Sequence, residues 1–161
     1  MKKNEFKIVI IGPGGVGKTN IIDRLTTNCF DKNSPPTNGG SYHSKSFGLE
    51  GQLFTANIWD TAGAEHHRSL IKIFLKDIDG VVAVYDITKK STFDIIDKWI
   101  KFSKEVENNE IPMVIIGNCC DLKDKREVTV EEGELKSMKY RADFIETSAL
   151  SGENIQRLLK F

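Results

Sequence analysis

The sequence predicts an α/β protein with a three-layer, doubly wound, mainly parallel six-stranded sheet and one antiparallel edge strand. Three observations predict it. Short apolar runs alternate with segments of helical period, the order that a sheet built from crossover helices requires. Several runs are apolar at consecutive positions, as in Ile8-Val9-Ile10-Ile11 and Val81-Val82-Ala83-Val84, the mark of strands covered on both faces. A chain of 161 residues is long enough for one such domain, 1–161, and too short for two.

Taken in order, the strand-like runs are Phe6 to Ile11, Phe54 to Trp59, Val81 to Tyr85, Met113 to Ile116 and Phe144 to Thr147. Lys45 to Phe54 reads as two short strands joined by a turn, which adds the antiparallel edge. Phe30 to Gly40 holds two prolines, two asparagines and two glycines without periodicity, a loop too long to be idle. Ser91-Thr92-Phe93-Asp94 reads as a helix start. Ile95, Trp99, Phe102 and Val106 follow as a stripe, with Trp99 expected in the core. Thr129-Val130-Glu131-Glu132 is a capping box before Leu135 and Met138, in a second covering helix. Gly152 to Phe161 reads as a helix that stops after about two turns, so the domain is expected to run on past Phe161.

Composition narrows the function. Lys plus Arg and Asp plus Glu both number 23, so no global field steers the chain to nucleic acid or an anionic membrane. No uninterrupted apolar run reaches the length of a membrane span, and the N-terminus has no signal-peptide core. Cys29, Cys119 and Cys120 form neither a disulfide framework nor a metal-ligand spacing, which suits a reducing cytoplasm.

Gly12-Pro13-Gly14-Gly15-Val16-Gly17-Lys18-Thr19 meets every fixed position of the phosphate-binding loop G-x-x-x-x-G-K-[ST], and it stands between an apolar strand and a helix as that motif demands. Glycines let backbone N–H groups turn inward around a phosphate, and the helix start adds partial positive charge. Lys18 then neutralises the outer phosphates, and Thr19 offers a hydroxyl to a bridging Mg²⁺ ion. Asp60-Thr61-Ala62-Gly63, Asn118-Cys119-Cys120-Asp121 and Thr147-Ser148-Ala149 each end an apolar run. They belong at the sheet edge that carries the loop.

With these segments the chain resembles the Ras superfamily of small GTPases, a P-loop NTPase group with a small G domain. Trp59-Asp60-Thr61-Ala62-Gly63, Arg68-Ser69-Leu70 and Tyr85-Asp86-Ile87-Thr88 resemble its Rab branch most. The resemblance, which spans Phe6 to Leu159, implies GTP or GDP and Mg²⁺ as ligands. Gly14, Gly15, Val16, Gly17, Lys18, Thr19 and Asn20 would line the phosphates. Thr19, Thr37 and, through water, Asp60 would serve the metal, while Gly63 would sense the γ-phosphate. Phe30 would pack on the guanine edge. Asn118 and Asp121 would form the base-reading pair, with Ser148, Ala149 and Leu150 beside them and the Ala149 N–H on the base oxygen. Effectors and regulators would meet residues near 30–43 and 62–75. A membrane would be reached only through a lipidated tail past Phe161, on the cytosolic face of endomembranes, and vesicle trafficking is the expected setting.

The departures are as informative. Ala64 stands where the family usually has the glutamine that orients the attacking water, so intrinsic hydrolysis is expected to be slow, with Lys18 as the remaining catalytic cation. Cys119 and Leu150 replace two lysines that flank the base, which predicts weaker holding of nucleotide. His66 and His67 stand in the second switch, where a pH-sensitive role competes with that of plain surface imidazoles. The leading expectation is a guanine-nucleotide switch. One alternative is a non-hydrolysing module of the same fold that keeps nucleotide as a structural ligand. A further one is another P-loop enzyme, such as a small ATP-dependent kinase.

Overall fold

The computed structural model describes residues 3–63, 68–107 and 110–161. Ala64, His66 and His67 lie outside the described residues. Six strands form the centre: β1 (Glu5–Ile11), β2 (Gly40–Leu49), β3 (Gln52–Thr61), β4 (Gly80–Asp86), β5 (Met113–Asn118) and β6 (Asp143–Glu146), in the order β2-β3-β1-β4-β5-β6. β2 runs antiparallel to β3 and the other pairings are parallel, the doubly wound sheet that the sequence predicts.

Alternation along the strands builds both outer layers. Ile10, Val84 and Ile116 face the layer of α1 (Lys18–Thr27), where Ile21, Ile22 and Leu25 meet them. Val9, Ile11, Ala83, Tyr85 and Ile115 face the opposite layer, made by α2 (Arg68–Phe74), α3 (Lys90–Val106) and α4 (Val130–Tyr140). The side-chain period of two makes both faces apolar, because apolar residues occupy successive positions. β1 lies between β3 and β4, so the chain departs to both sides of it. The crevice that such a reversal opens at the carboxyl ends of the strands is where ligands bind in open α/β sheets.

Five local expectations need correction. β2 starts at Gly40, and its ladder runs from Gly40↔Thr61 to Leu49↔Gln52, so the hairpin is longer than two short strands. Ser41, His43 and Ser44 carry no hydrophobic period that would announce it. α3 begins at Lys90 with no side-chain cap. The Thr92 hydroxyl donates to Lys89 O at 2.7 Å and fastens the helix start just after β4. Trp99 is in the core as expected, but Ile96 and Ile100 are the fully buried positions, and Ile95, Phe102 and Val106 pack at the margin. The end of the chain forms a 3₁₀ turn, Gln156–Lys160, closed by i→i+3 bonds such as Leu158 N to Ile155 O at 3.1 Å.

α4 differs from expectation on its exposed face. Its capping box is present, with Thr129 Oγ1 accepting from Glu132 N at 3.2 Å and Glu132 Oε2 accepting from Thr129 N at 2.8 Å. Leu135 and Met138, however, are 65% and 71% exposed. The inner face is Gly133, Lys136, Ser137 and Tyr140. Lys136 turns inward because its ammonium finds partners there: it donates to Asp97 Oδ2 at 2.7 Å and sits 3.7 Å from the Phe93 ring centroid. A buried charge with both a counter-ion and an aromatic face overrides the local pattern.

Asp97 also accepts from Tyr140 and Lys139. Burial alone would raise its carboxyl, but the bonds from Lys136, Tyr140 and Lys139 bring it down from 3.8 to about 2. A depressed pKa means stability that is present above the unfolded value and lost as pH falls through the folded one. Asp97→Asn is expected to lower stability at pH 7 by about 1–3 kcal/mol in urea unfolding. Its curve should approach the wild-type curve as pH drops from about 4 to about 2.

Candidate functional site

The segments that leave β1, β3, β5 and β6 all reach the same sheet edge. Gly17 takes φ +94° at the α1 N-cap, a left-handed conformation that suits glycine. This turns the loop from Gly12 to Gly17 back over the start of the helix. Lys18 is buried, and its Nζ donates to Gly12 O at 2.8 Å and Pro13 O at 2.9 Å. Burial lowers the ammonium to about 8, against the opposing pull of Asp60. Gly63 packs on the same loop so closely that a Cβ there would fall 2.1 Å from Gly14 N.

Thr19, Thr37 and Asp60 converge although they come from α1, the loop before β2 and the end of β3. The two threonine hydroxyls are 2.8 Å apart, and both donate to Asp60 Oδ2. Asp60 is fully buried, and its Oδ1 has no partner among the described residues. Burial raises its carboxyl, opposed by Thr19, Lys18, His43 and Thr37. Two hydroxyls beside a buried carboxylate with one unmatched oxygen are a hard-oxygen donor set of the kind Mg²⁺ accepts. A cleft of about 520 Å³ opens here, lined among others by Gly15, Lys18, Thr19, Pro36, Thr37 and Gly63. Lys32 and Ser34 also line it, and they were not legible beforehand because a loop without periodicity gives no orientation. Asn20 lines the cleft too, and its Oδ1 accepts from Asp31 N at 3.4 Å, which ties the start of the loop to α1.

The residues expected on the base side are not among those lining this cleft. Asn118 is buried. Its Nδ2 donates to Val16 O at 2.9 Å, and its Oδ1 accepts from Thr147 Oγ1 at 3.1 Å. It therefore clamps the phosphate loop to the segments after β5 and β6. Asp121 is the freer carboxylate, steered by Ser148 Oγ at 2.6 Å. Ala149 is buried, whereas the Leu150 side chain is 53% exposed. Phe30 is partly buried against the α1-side core. Cys119 holds φ +67° in the turn that Leu122 N closes onto its carbonyl. Burial pushes its thiol up to about 12, with Asp86 and Asp121 acting in the same direction. It is a neutral thiol where a lysine would bring a cation.

This fold and this edge define a phosphate-loop nucleotide-binding protein. A family model described as Ras family matches residues 7–160. Ras-related protein Rab2BV of Beta vulgaris is 40% identical over 152 residues, which cover 94% of this chain and 71% of that protein. The chain belongs to the Ras family and is a Rab-like small GTPase by class, and proteins of this family bind GTP and GDP.

Because Cys119 supplies neither the stem nor the charge of a lysine, Cys119→Lys is expected to slow GDP dissociation by about tenfold, followed with a fluorescent GDP analogue. An unchanged rate would mean that Asn118 alone secures this side of the site.

Proposed function

We propose that the chain is a Rab-like guanine-nucleotide switch that holds GTP together with Mg²⁺ and turns it over slowly. The convergence of Thr19, Thr37 and Asp60 carries the reading. It joins a phosphate-loop hydroxyl, a residue of the long loop and a buried carboxylate in one cleft. Thr19, Thr37 and Asp60 would hold the metal, which when bound neutralises charge on the β- and γ-phosphates.

The remaining steps belong to the chain itself. Backbone N–H groups of the phosphate loop receive the phosphate oxygens, and Lys18 moves its ammonium from the Gly12 and Pro13 carbonyls to the outer phosphates. Asp121, oriented by Ser148, accepts the guanine N1–H and exocyclic amine, a pair that adenine does not present. The Ala149 N–H donates to the base oxygen. Thr37 closes with the γ-phosphate and relaxes without it, so the loop before β2 reports which nucleotide is held. Ala64 offers only a methyl group at the position from which the attacking water would be oriented, and this is the basis for slow turnover.

A row of aromatic rings runs beneath the two segments that respond to nucleotide. Tyr42 packs on Trp59 at 5.1 Å and Trp59 stacks on Phe74 at 5.0 Å, with Tyr42 52% exposed. A Cβ on Gly40 would fall 2.4 Å from the Phe74 ring, so the glycine lets α2 lie against β2. This row is the surface through which a protein partner would read the switch, in accord with residues near 30–43 and 62–75. Vesicle trafficking at the cytosolic face of endomembranes is the setting proposed for it, by likeness to the Rab branch.

Titration with GTP, GDP and ATP tests the ligand: binding of both guanine nucleotides and exclusion of ATP is expected, and equal binding of ATP would overturn the reading. Single-turnover phosphate release tests the chemistry. Ala64→Gln is expected to accelerate it by on the order of 10²-fold, the scale of a misplaced reactant. Equal rates would show that Ala64 does not limit turnover.

A further inference from the structure

Arg24 stands near the end of α1, where helical pattern alone makes it a solvated surface charge. Its guanidinium instead forms a fork between two distant stretches of backbone. Nε donates to Ala149 O at 2.8 Å and Nη2 to Leu150 O at 2.7 Å. Nη1 donates to Asn28 O at 3.1 Å and to Asn28 Oδ1 at 3.3 Å, at the left-handed residue that ends the helix. Every acceptor is neutral, and no carboxylate pairs with Arg24 among the described residues. The rigid, five-donor geometry of arginine is what allows one side chain to hold two consecutive carbonyls and a helix end.

The carbonyls it holds adjoin the N–H that would meet the base. The peptide plane carrying the Ala149 N–H is fixed by Gly152 N donating to Ser148 O at 2.8 Å. Arg24 fixes the next two planes, through Ala149 O and Leu150 O. Three consecutive planes are thereby locked, and no protein acceptor takes the Ala149 N–H among the described residues. Within the segment, Ser148 N donates to Glu153 O at 3.1 Å and Ser151 N to Ser148 Oγ at 3.0 Å, so the turn is closed on itself, and what Arg24 adds is its tie to α1. The Leu150 side chain is exposed rather than packed, and Cys119 provides no lysine bridge toward the phosphate loop. Two side-chain ties join the phosphate half to the base half among the described residues: Asn118 to Val16, and Arg24 to Ala149 and Leu150.

We propose that Arg24 is a positioning residue for guanine recognition, holding the segment after β6 so that the Ala149 N–H meets the 6-oxo group of the base. The inference rests on the guanine-nucleotide reading above. It extends that reading to a residue outside every motif, placed on the helix that begins with the phosphate loop.

The test compares GDP with 6-thio-GDP on the full chain. The analogue keeps the N1–H and the amine that Asp121 would read and exchanges only the 6-oxygen for a poorer acceptor. Wild type is expected to favour GDP by about tenfold, the scale of one well-placed hydrogen bond. Arg24→Met should weaken GDP by about tenfold and 6-thio-GDP far less, so that the preference falls to about twofold or below. Arg24→Lys retains charge and stem without the fork, serves if the methionine variant fails to fold, and should give an intermediate preference. Equal weakening of both nucleotides, leaving the ratio at its wild-type value, would assign Arg24 to general stability and overturn the proposal. A wild type that favours GDP over ADP but not over 6-thio-GDP would overturn the role of the Ala149 N–H. A wild type that does not favour GDP over ADP would overturn the guanine reading itself.

Discussion

A carboxylate fully withdrawn from water with one oxygen unmatched is the constraint around which this molecule is arranged. Burying an ion costs several kcal/mol after relaxation unless opposite charge and hydrogen bonds compensate. Asp60 receives two hydroxyls on one oxygen, a lysine nearby and, among the described residues, nothing on the other oxygen. The last residues of β3 deliver it to the crevice, α1 delivers Thr19, and the loop before β2 must fold inward to deliver Thr37. Sheet order, helix start and loop path therefore serve one small volume. A structure seeking stability alone would place an apolar residue at this point. The buried carboxylate with its unmatched oxygen is the observation on which the proposed Mg²⁺ site rests.

Much of the fold was legible because its signal is local. Ile8 to Ile11 and Val81 to Val84 declare strands covered on both faces, and the glycine pattern before Lys18 declares both a turn and its ligand class. Illegible features depend on partners remote in sequence. Lys136 faces inward because Asp97 and Phe93, about forty positions earlier, receive its charge. Leu135 and Met138 consequently face outward. β2 begins earlier than expected because its ladder with β3 supplies the stabilisation, not the propensity of Ser41 or Ser44. The same division runs through the site. Lys18, Thr19 and Asp60 announce their chemistry by motif. The clamp made by Asn118 and the fork made by Arg24 became visible only when segments more than one hundred positions apart were placed side by side.

The link between the two halves of the site is built differently here from what the family pattern implies. Where a lysine would bind the base segment to the phosphate loop by charge, Cys119 is a neutral, half-buried thiol in a left-handed turn. The side-chain bonds that cross between the halves among the described residues are those of the Asn118 amide and the Arg24 guanidinium, both to neutral acceptors. Such bonds depend more on geometry than on ionic strength, because no pair of opposite charges is available to be screened. The two halves of the site are thus coupled by shape, while the phosphate half retains its electrostatic character.

The outer rim of the sheet carries a consequence of another kind. β6 is only four residues long, but β2 extends for ten and, among the described residues, pairs with β3 on one side alone. A long free edge is a template onto which a neighbouring molecule can add its own strand. In β2 the sequence Gly40-Ser41-Tyr42-His43-Ser44-Lys45-Ser46 is rich in hydroxyls and carries a charged lysine, residues that solvate a rim instead of sealing it with a foreign strand. The polarity that concealed this strand from hydrophobic patterning is also of the kind that disfavours edge-to-edge pairing between copies of a chain.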